Sequence, residues 1–132
     1  AAVLARLPRL TSINGALAID LAGQAAADAI GGRQYSGTGG HESFVSAAGE
    51  APEGRSFLCL RSTVIVAGAA VSTITAAFTP GTPVTTPRHH VQWVVTEYGA
   101  VDLSVLDDEE RPRALIELAH PEFRAALRAT LA

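Results

Sequence analysis

The stretch that most constrains this chain runs from Ile30 to Phe44, IGGRQYSGTGGHESF. It holds five of the twelve glycines, as Gly31-Gly32, Gly37 and Gly39-Gly40. Apolar, strand-like sequence precedes it and a plausible helix start follows, so the chain must pass from strand through a glycine loop into a helix. Glycine tolerates φ > 0 and lets backbone N–H groups approach a ligand with no Cβ in the way. A run of such N–H groups ending at a helix N-terminus forms a concave anion site. The loop alone is equally compatible with a long flexible connector, and both readings stand at this point.

The rest of the chain reads as short apolar strands alternating with helices. Residues 2–7 suggest a short helical segment stopped by Pro8. Residues 10–19 look extended, 20–23 turn, and 24–29 return as a short strand. A helix is expected over 42–48, entered from Gly40 with His41 or Ser43 near its cap. Turn chemistry at 51–54 precedes an apolar strand at 56–60. Residues 64–70 continue the apolar sequence. Residues 71–78 alternate and are rich in β-branched side chains, which predicts a strand. Three prolines and a glycine make 79–87 a constrained loop. Residues 91–98 (VQWVVTEY) form the clearest strand, ended by Gly99, with Trp93 expected in the core. Helices are expected over 106–118 and 122–131, separated by His120-Pro121. The first has Asp107 to Glu110 at its start, where the helix dipole favours negative charge, with Leu115, Leu118 and Ala119 on one face. The second carries Phe123, Leu127 and Leu131 four apart. This alternation predicts an α/β fold. No internal repeat or linker interrupts it, so 1–132 reads as one domain.

Composition removes several function classes. An apolar content of 48% with 17% charge argues for a packed globule and against disorder. A net charge of −3 disfavours a nucleic-acid surface. No apolar run reaches the ~18–20 residues of a membrane span. A lone cysteine, Cys59, has no internal disulfide partner, which favours a reducing, cytoplasmic setting. The chain has no methionine, so it does not begin at an initiator and is expected to be a processed product or part of a longer protein.

The chemistry-bearing residues are few. The four histidines, His41, His89, His90 and His120, lack metal-ligand spacing with Cys59, so no metal site is expected. Ser36, His41 and Glu97 compose a hydrolytic triad only on paper, because no GxSxG elbow is present. The glycines match neither GxGxxG nor a P-loop, and the chain has no lysine. Arg33 and Arg88, near candidate loops, are either phosphate contacts or solvated surface. Glu97 is either a structural cap or a site carboxylate.

Five segments taken together say more. SINGALAIDLAGQ (12–24), IGGRQYSGTGG (30–40), PGTPVTTPR (80–88), VVTEYGAVDL (94–103) and AHPEFR (119–124), in this order, resemble the C-terminal domain of the acetyl-CoA hydrolase/transferase family. That family includes 4-hydroxybutyrate, acetate and succinate CoA-transferases. The resemblance implies an open, largely parallel sheet flanked by helices. It implies coenzyme A as a substrate, moved between an acyl-CoA and a carboxylate through a glutamyl-CoA thioester, with no metal. It places a backbone oxyanion donor at Gly39 or Gly40. Ser36, Gly37, Thr38, His41 and Glu42 are the implied substrate contacts. The nucleophilic glutamate of the family lies upstream, and nothing in this chain matches its motif. An N-terminal CoA-transferase domain or subunit is therefore the expected partner, in a homo- or hetero-oligomer. Where the family reads Gly-Gln-x-Asp-Phe, this chain has Gly40-His41-Glu42-Ser43-Phe44. Where the family tends to Ser-Arg-Ile, it has Ser72-Thr73-Ile74. Glu42 is a carboxylate beside the loop, either solvent-facing or a substitute nucleophile. Acyl-CoA hydrolysis, a non-catalytic acyl-CoA-binding module and a structural piece of a larger complex are the alternative readings.

Overall fold

The computed structural model describes residues 1–131; Ala132, the last residue of the expected domain, lies outside the described residues. The fold is α/β. Its main sheet has the order β1 (Thr11–Gly15), β6 (Arg55–Cys59), β10 (Trp93–Thr96), β11 (Gly99–Asp102). β1–β6 and β6–β10 are parallel, and β11 returns antiparallel to β10. Between β1 and β6 lie β2 (Ala18–Asp20), β3 (Ala25–Ala26), the β4–β5 hairpin (Ala29–Ile30, Arg33–Gln34) and helix α1 (His41–Glu50). The β7–β8 hairpin (Thr63–Val66, Ala69–Ser72) and β9 (Ile74–Thr75) separate β6 from β10. β3, β2 and β9 form a second small sheet. Helices α2 (Glu110–Leu118) and α3 (Pro121–Ala129) close the chain.

Burial alternates along the sheet as a half-covered surface requires. Ser12, Ser56, Leu58, Val94 and Thr96 are buried on one face. Leu58 and Val94 join Val45 of α1 and Leu115, Ile116 and Leu118 of α2 in one apolar cluster. Helices therefore lie on this face. Thr96 is tied to the end of α2, its hydroxyl donating to the Leu118 carbonyl at 2.8 Å.

Several expected elements divide. The extended stretch 10–19 splits at Ala16-Leu17 into β1 and β2, which belong to different sheets. Period-two patterning cannot show which sheet a strand joins. Residues 63–72 form a hairpin, and the strand expected over 71–78 divides between the end of β8 and the short β9, which stops at Thr75. Strand 91–98 shortens to β10, and Gly99 opens β11 across a turn at Glu97-Tyr98. Helix α2 starts at Glu110, not Leu106, because the Asp107 carboxylate takes the N–H groups of Glu109 and Glu110 at 2.9 and 2.8 Å. An Asp that bonds nearby backbone in this way favours a turn over helix. Trp93 is only half-buried, its ring stacked on Phe57 with centroids 5.8 Å apart. In α3, Leu127 is buried while Leu131 lies past the helix and is exposed.

The β7–β8 turn is strained in one place. Ala67 (φ +49°) and Gly68 (φ +80°) are its two central residues. Both positions of such a turn need φ > 0, which Asn-Gly satisfies better than Ala-Gly. Ala67→Asn is predicted to raise the unfolding free energy by up to about 1 kcal/mol, read from the midpoint of chemical denaturation. A lower midpoint would show that the turn is not limiting.

Candidate functional site

The glycine stretch resolves into two parts. Gly31 (φ +57°) and Gly32 (φ +76°) are the two-residue turn of the β4–β5 hairpin, so the first pair is structural. Ser36, Gly37, Thr38, Gly39 and Gly40 form the exposed loop that leads into α1. Gly39 is left-handed (φ +54°), and an added Cβ there would meet nothing within 4 Å. At Gly40, the N-cap, an added Cβ would lie 3.0 Å from the Phe44 ring.

The position of this loop follows from topology. A short connection at 51–54 reverses the chain from α1 into β6, and α1 packs on β6 and β1. The N-terminus of α1 therefore lies at the carboxyl ends of the parallel strands, where open α/β sheets bind ligands. No side chain caps α1. Its first N–H groups and those of the loop present an electropositive end of a ten-residue helix.

A segment more than forty residues away holds the loop in place. Asp28 is buried, and its carboxylate accepts from the Thr85 hydroxyl and from the Gln34 amide at 3.1 Å. The Asp28 carbonyl accepts the N–H groups of Tyr35 and Ser36 at 2.7 and 3.1 Å. Gln34 also donates to the Ser36 carbonyl. Thr85 Oγ1 accepts from Ala27 N, and Thr82 Oγ1 accepts from Gly31 N, both at 2.8 Å. The hydroxyls of the proline-rich loop thus brace the strand and hairpin that lead into the glycine loop. Sequence reasoning missed Asp28; the cluster of threonines at 79–86 was its available signal.

The end of the loop carries a second anchor. Glu42 Oε1 pairs with His90 Nδ1, joining the first turn of α1 to the segment after Thr85-Thr86. Glu42 Oε2 and His41 Nε2 are buried without a protein partner. Burial lowers the His41 pKa below the ordinary imidazole value, against the opposing charges of Glu42 and Asp28, so its ring is neutral at pH 7.

Other candidates are placed elsewhere. Ser36 donates to the Gly37 carbonyl, and no hydrogen bond joins it to His41 or Glu97 among the described residues. Glu97 accepts from Ser62 Oγ at 2.6 Å and Ser62 N at 2.9 Å. It ties the ends of β10 and β6 together, as a structural cap would. Arg33 lies over the Tyr35 ring at 5.1 Å, and Arg88 is exposed, 4.0 Å from Asp108. Among the described residues no group of three or more His, Cys, Asp or Glu converges, and no helix is long and apolar enough to cross a membrane.

Two carboxylates have depressed pKa values. The Thr85 hydroxyl and then the Gln34 amide lower that of Asp28; the Ser62 hydroxyl and then its N–H lower that of Glu97. Each therefore contributes stability that is present above its ordinary value of ~4 and lost as pH falls through the depressed folded value. Denaturation midpoints are predicted to fall below about pH 4.5, with a shallower fall in Glu97→Gln. Equal acid sensitivity in both proteins would contradict the assignment.

Residues 1–131 match the acetyl-CoA hydrolase/transferase C-terminal domain. The chain belongs to that family. It is 41% identical over 125 residues to a probable butyrate:acetyl-CoA coenzyme A-transferase of Syntrophomonas wolfei, covering 95% of this chain and 28% of that protein. It is 38% identical to the 4-hydroxybutyrate coenzyme A transferase of Clostridium kluyveri, covering 95% and 29%. The crystal structure of RipA from Yersinia pestis superposes with a TM-score of 0.86 at 40% identity, over 98% of this chain and 28% of that one. This family domain thus spans under a third of the length of the relatives it matches.

Proposed function

We propose that this domain forms the C-terminal part of a CoA-transferase and contributes the backbone oxyanion donor at the Gly39-Gly40 loop. The observation that carries the reading is the uncapped N-terminus of α1, preceded by left-handed Gly39, at the carboxyl ends of the parallel strands. In the proposed reaction a glutamate from an N-terminal CoA-transferase portion attacks the thioester carbonyl of an acyl-CoA. The carbonyl oxygen becomes an oxyanion, which the N–H of Gly39 or Gly40 stabilises. CoA thiolate leaves, giving an acyl-glutamyl anhydride. The thiolate then attacks the glutamyl carbonyl, releasing the carboxylate and forming the glutamyl-CoA thioester. A second carboxylate reverses the sequence and departs as its CoA ester.

Ser36, Gly37, Thr38, His41 and Glu42 line the approach to that donor. The buried, unpartnered Nε2 of neutral His41 suits a polar substrate atom. Glu42, engaged by His90, is better suited to fixing α1 than to nucleophilic attack. The names of the relatives support CoA transfer, and the domain's share of their length supports a catalytic glutamate outside it.

The test uses this domain joined to its N-terminal portion. With an acyl-CoA and isotopically labelled acetate, the label is expected in the CoA ester pool. Loss of acyl-CoA to free CoA, with no label in the ester, would replace transfer with hydrolysis. Neither outcome would leave a non-catalytic module.

A further inference from the structure

The main sheet is covered on one face only. On its other face, register aligns Ile13 of β1 with Phe57 of β6 and Trp93 of β10, and Gly15 with Cys59, Val95 and Ala100. Ile13 is 71% exposed, Gly15 and Ala100 are exposed, and Phe57, Cys59, Trp93 and Val95 are half-buried. At the amino end of the strands, Thr11, Arg55 and Asp102 give this apolar centre a polar rim. Among the described residues β1 pairs with β6 alone, so its other edge is open.

Parallel sheets are stable with both faces covered, and an open strand edge is a template for another strand. An apolar centre with a polar rim is the anatomy of an interface. About seven-tenths of the length of the relatives lies outside the region they share with this chain, enough to cover both features. We infer that the Ile13–Phe57–Trp93 face and the free edge of β1 dock the N-terminal CoA-transferase portion, which adds to the sheet at β1 and covers its apolar side. This rests on the CoA-transferase reading only for the identity of the occupant.

The test uses the domain with that portion present. Ile13→Cys and Val105→Cys are compared by maleimide labelling, with the modified peptide identified by mass spectrometry. The two positions are 71% and 75% exposed in this domain. The Ile13→Cys thiol is expected to react at least about a hundredfold more slowly, and equal rates would overturn the proposal. If Ile13→Cys loosens the assembly, hydrogen exchange on the unsubstituted protein gives the answer. Protection of every β1 amide is expected. Free exchange of alternate amides, as at an edge strand, would overturn it. Protection that appears with this domain alone and grows with its concentration would assign the face to a second copy, also against the proposal. A protected Ile13→Cys thiol without CoA exchange would remove the catalytic reading and leave the docking face; exchange with a reactive thiol would do the reverse.

Discussion

Gly39→Val is expected to lower kcat of the assembled protein by about a hundred- to a thousandfold, the effect of losing one oxyanion donor. Gly39 holds φ +54°, a conformation a β-branched residue resists, so the loop must rotate and its N–H groups must turn from their present direction. The space around the position is open, so no core contact is lost. The cost in stability is therefore limited to roughly 1–2 kcal/mol of backbone strain. Turnover assays and a denaturation curve on the same preparation separate the two effects. Normal turnover with Val at this position would show that the Gly39 N–H does not face the reaction. Global unfolding would show that the glycine serves the fold.

Asp28→Ala is expected to reduce kcat about tenfold to a hundredfold without touching substrate. The carboxylate joins Gln34, at the entry to the glycine loop, to Thr85 of the proline-rich loop. Removing it deprives the half-buried Thr85 hydroxyl and the exposed Gln34 amide of their acceptor, at roughly 1.5–3 kcal/mol for hydrogen bonds to a charged group. A loop displaced by even an ångström misaims its N–H groups. As a positioning residue, Asp28 should affect kcat more than KM, and Asp28→Asn should recover part of the loss by keeping an acceptor toward Thr85. A change confined to KM would place Asp28 in substrate binding instead.

The sequence disclosed some of this and hid the rest for identifiable reasons. Local chemistry was legible: the glycine loop before a helix, the strand around Val94, and the break at His120-Pro121 between the last two helices all depend on neighbours in sequence. The family resemblance supplied the parallel order of the sheet, which strand patterning could not. What remained hidden depends on contacts between distant residues. Asp28 looks like an ordinary turn residue until Thr85, 57 positions away, is seen beside it. Glu97 stayed ambiguous until Ser62 claimed both its oxygens. Glu42 and His90 gave no sign of each other in the sequence, 48 positions apart, yet they meet as a pair. The division of 10–19 between two sheets is likewise set by tertiary pairing. The open apolar face shows only when register aligns Ile13, Phe57 and Trp93 on one side.

The central claim is that this domain supplies the oxyanion site while another part supplies the nucleophile. Mass spectrometry tests it most directly. The assembled protein is incubated with an acyl-CoA and no acceptor, quenched in acid and digested. A CoA adduct on a glutamate outside residues 1–132, lost on adding a carboxylate acceptor, is the predicted result. An adduct on Glu42 or another carboxylate of this domain, or no adduct at all, would contradict it.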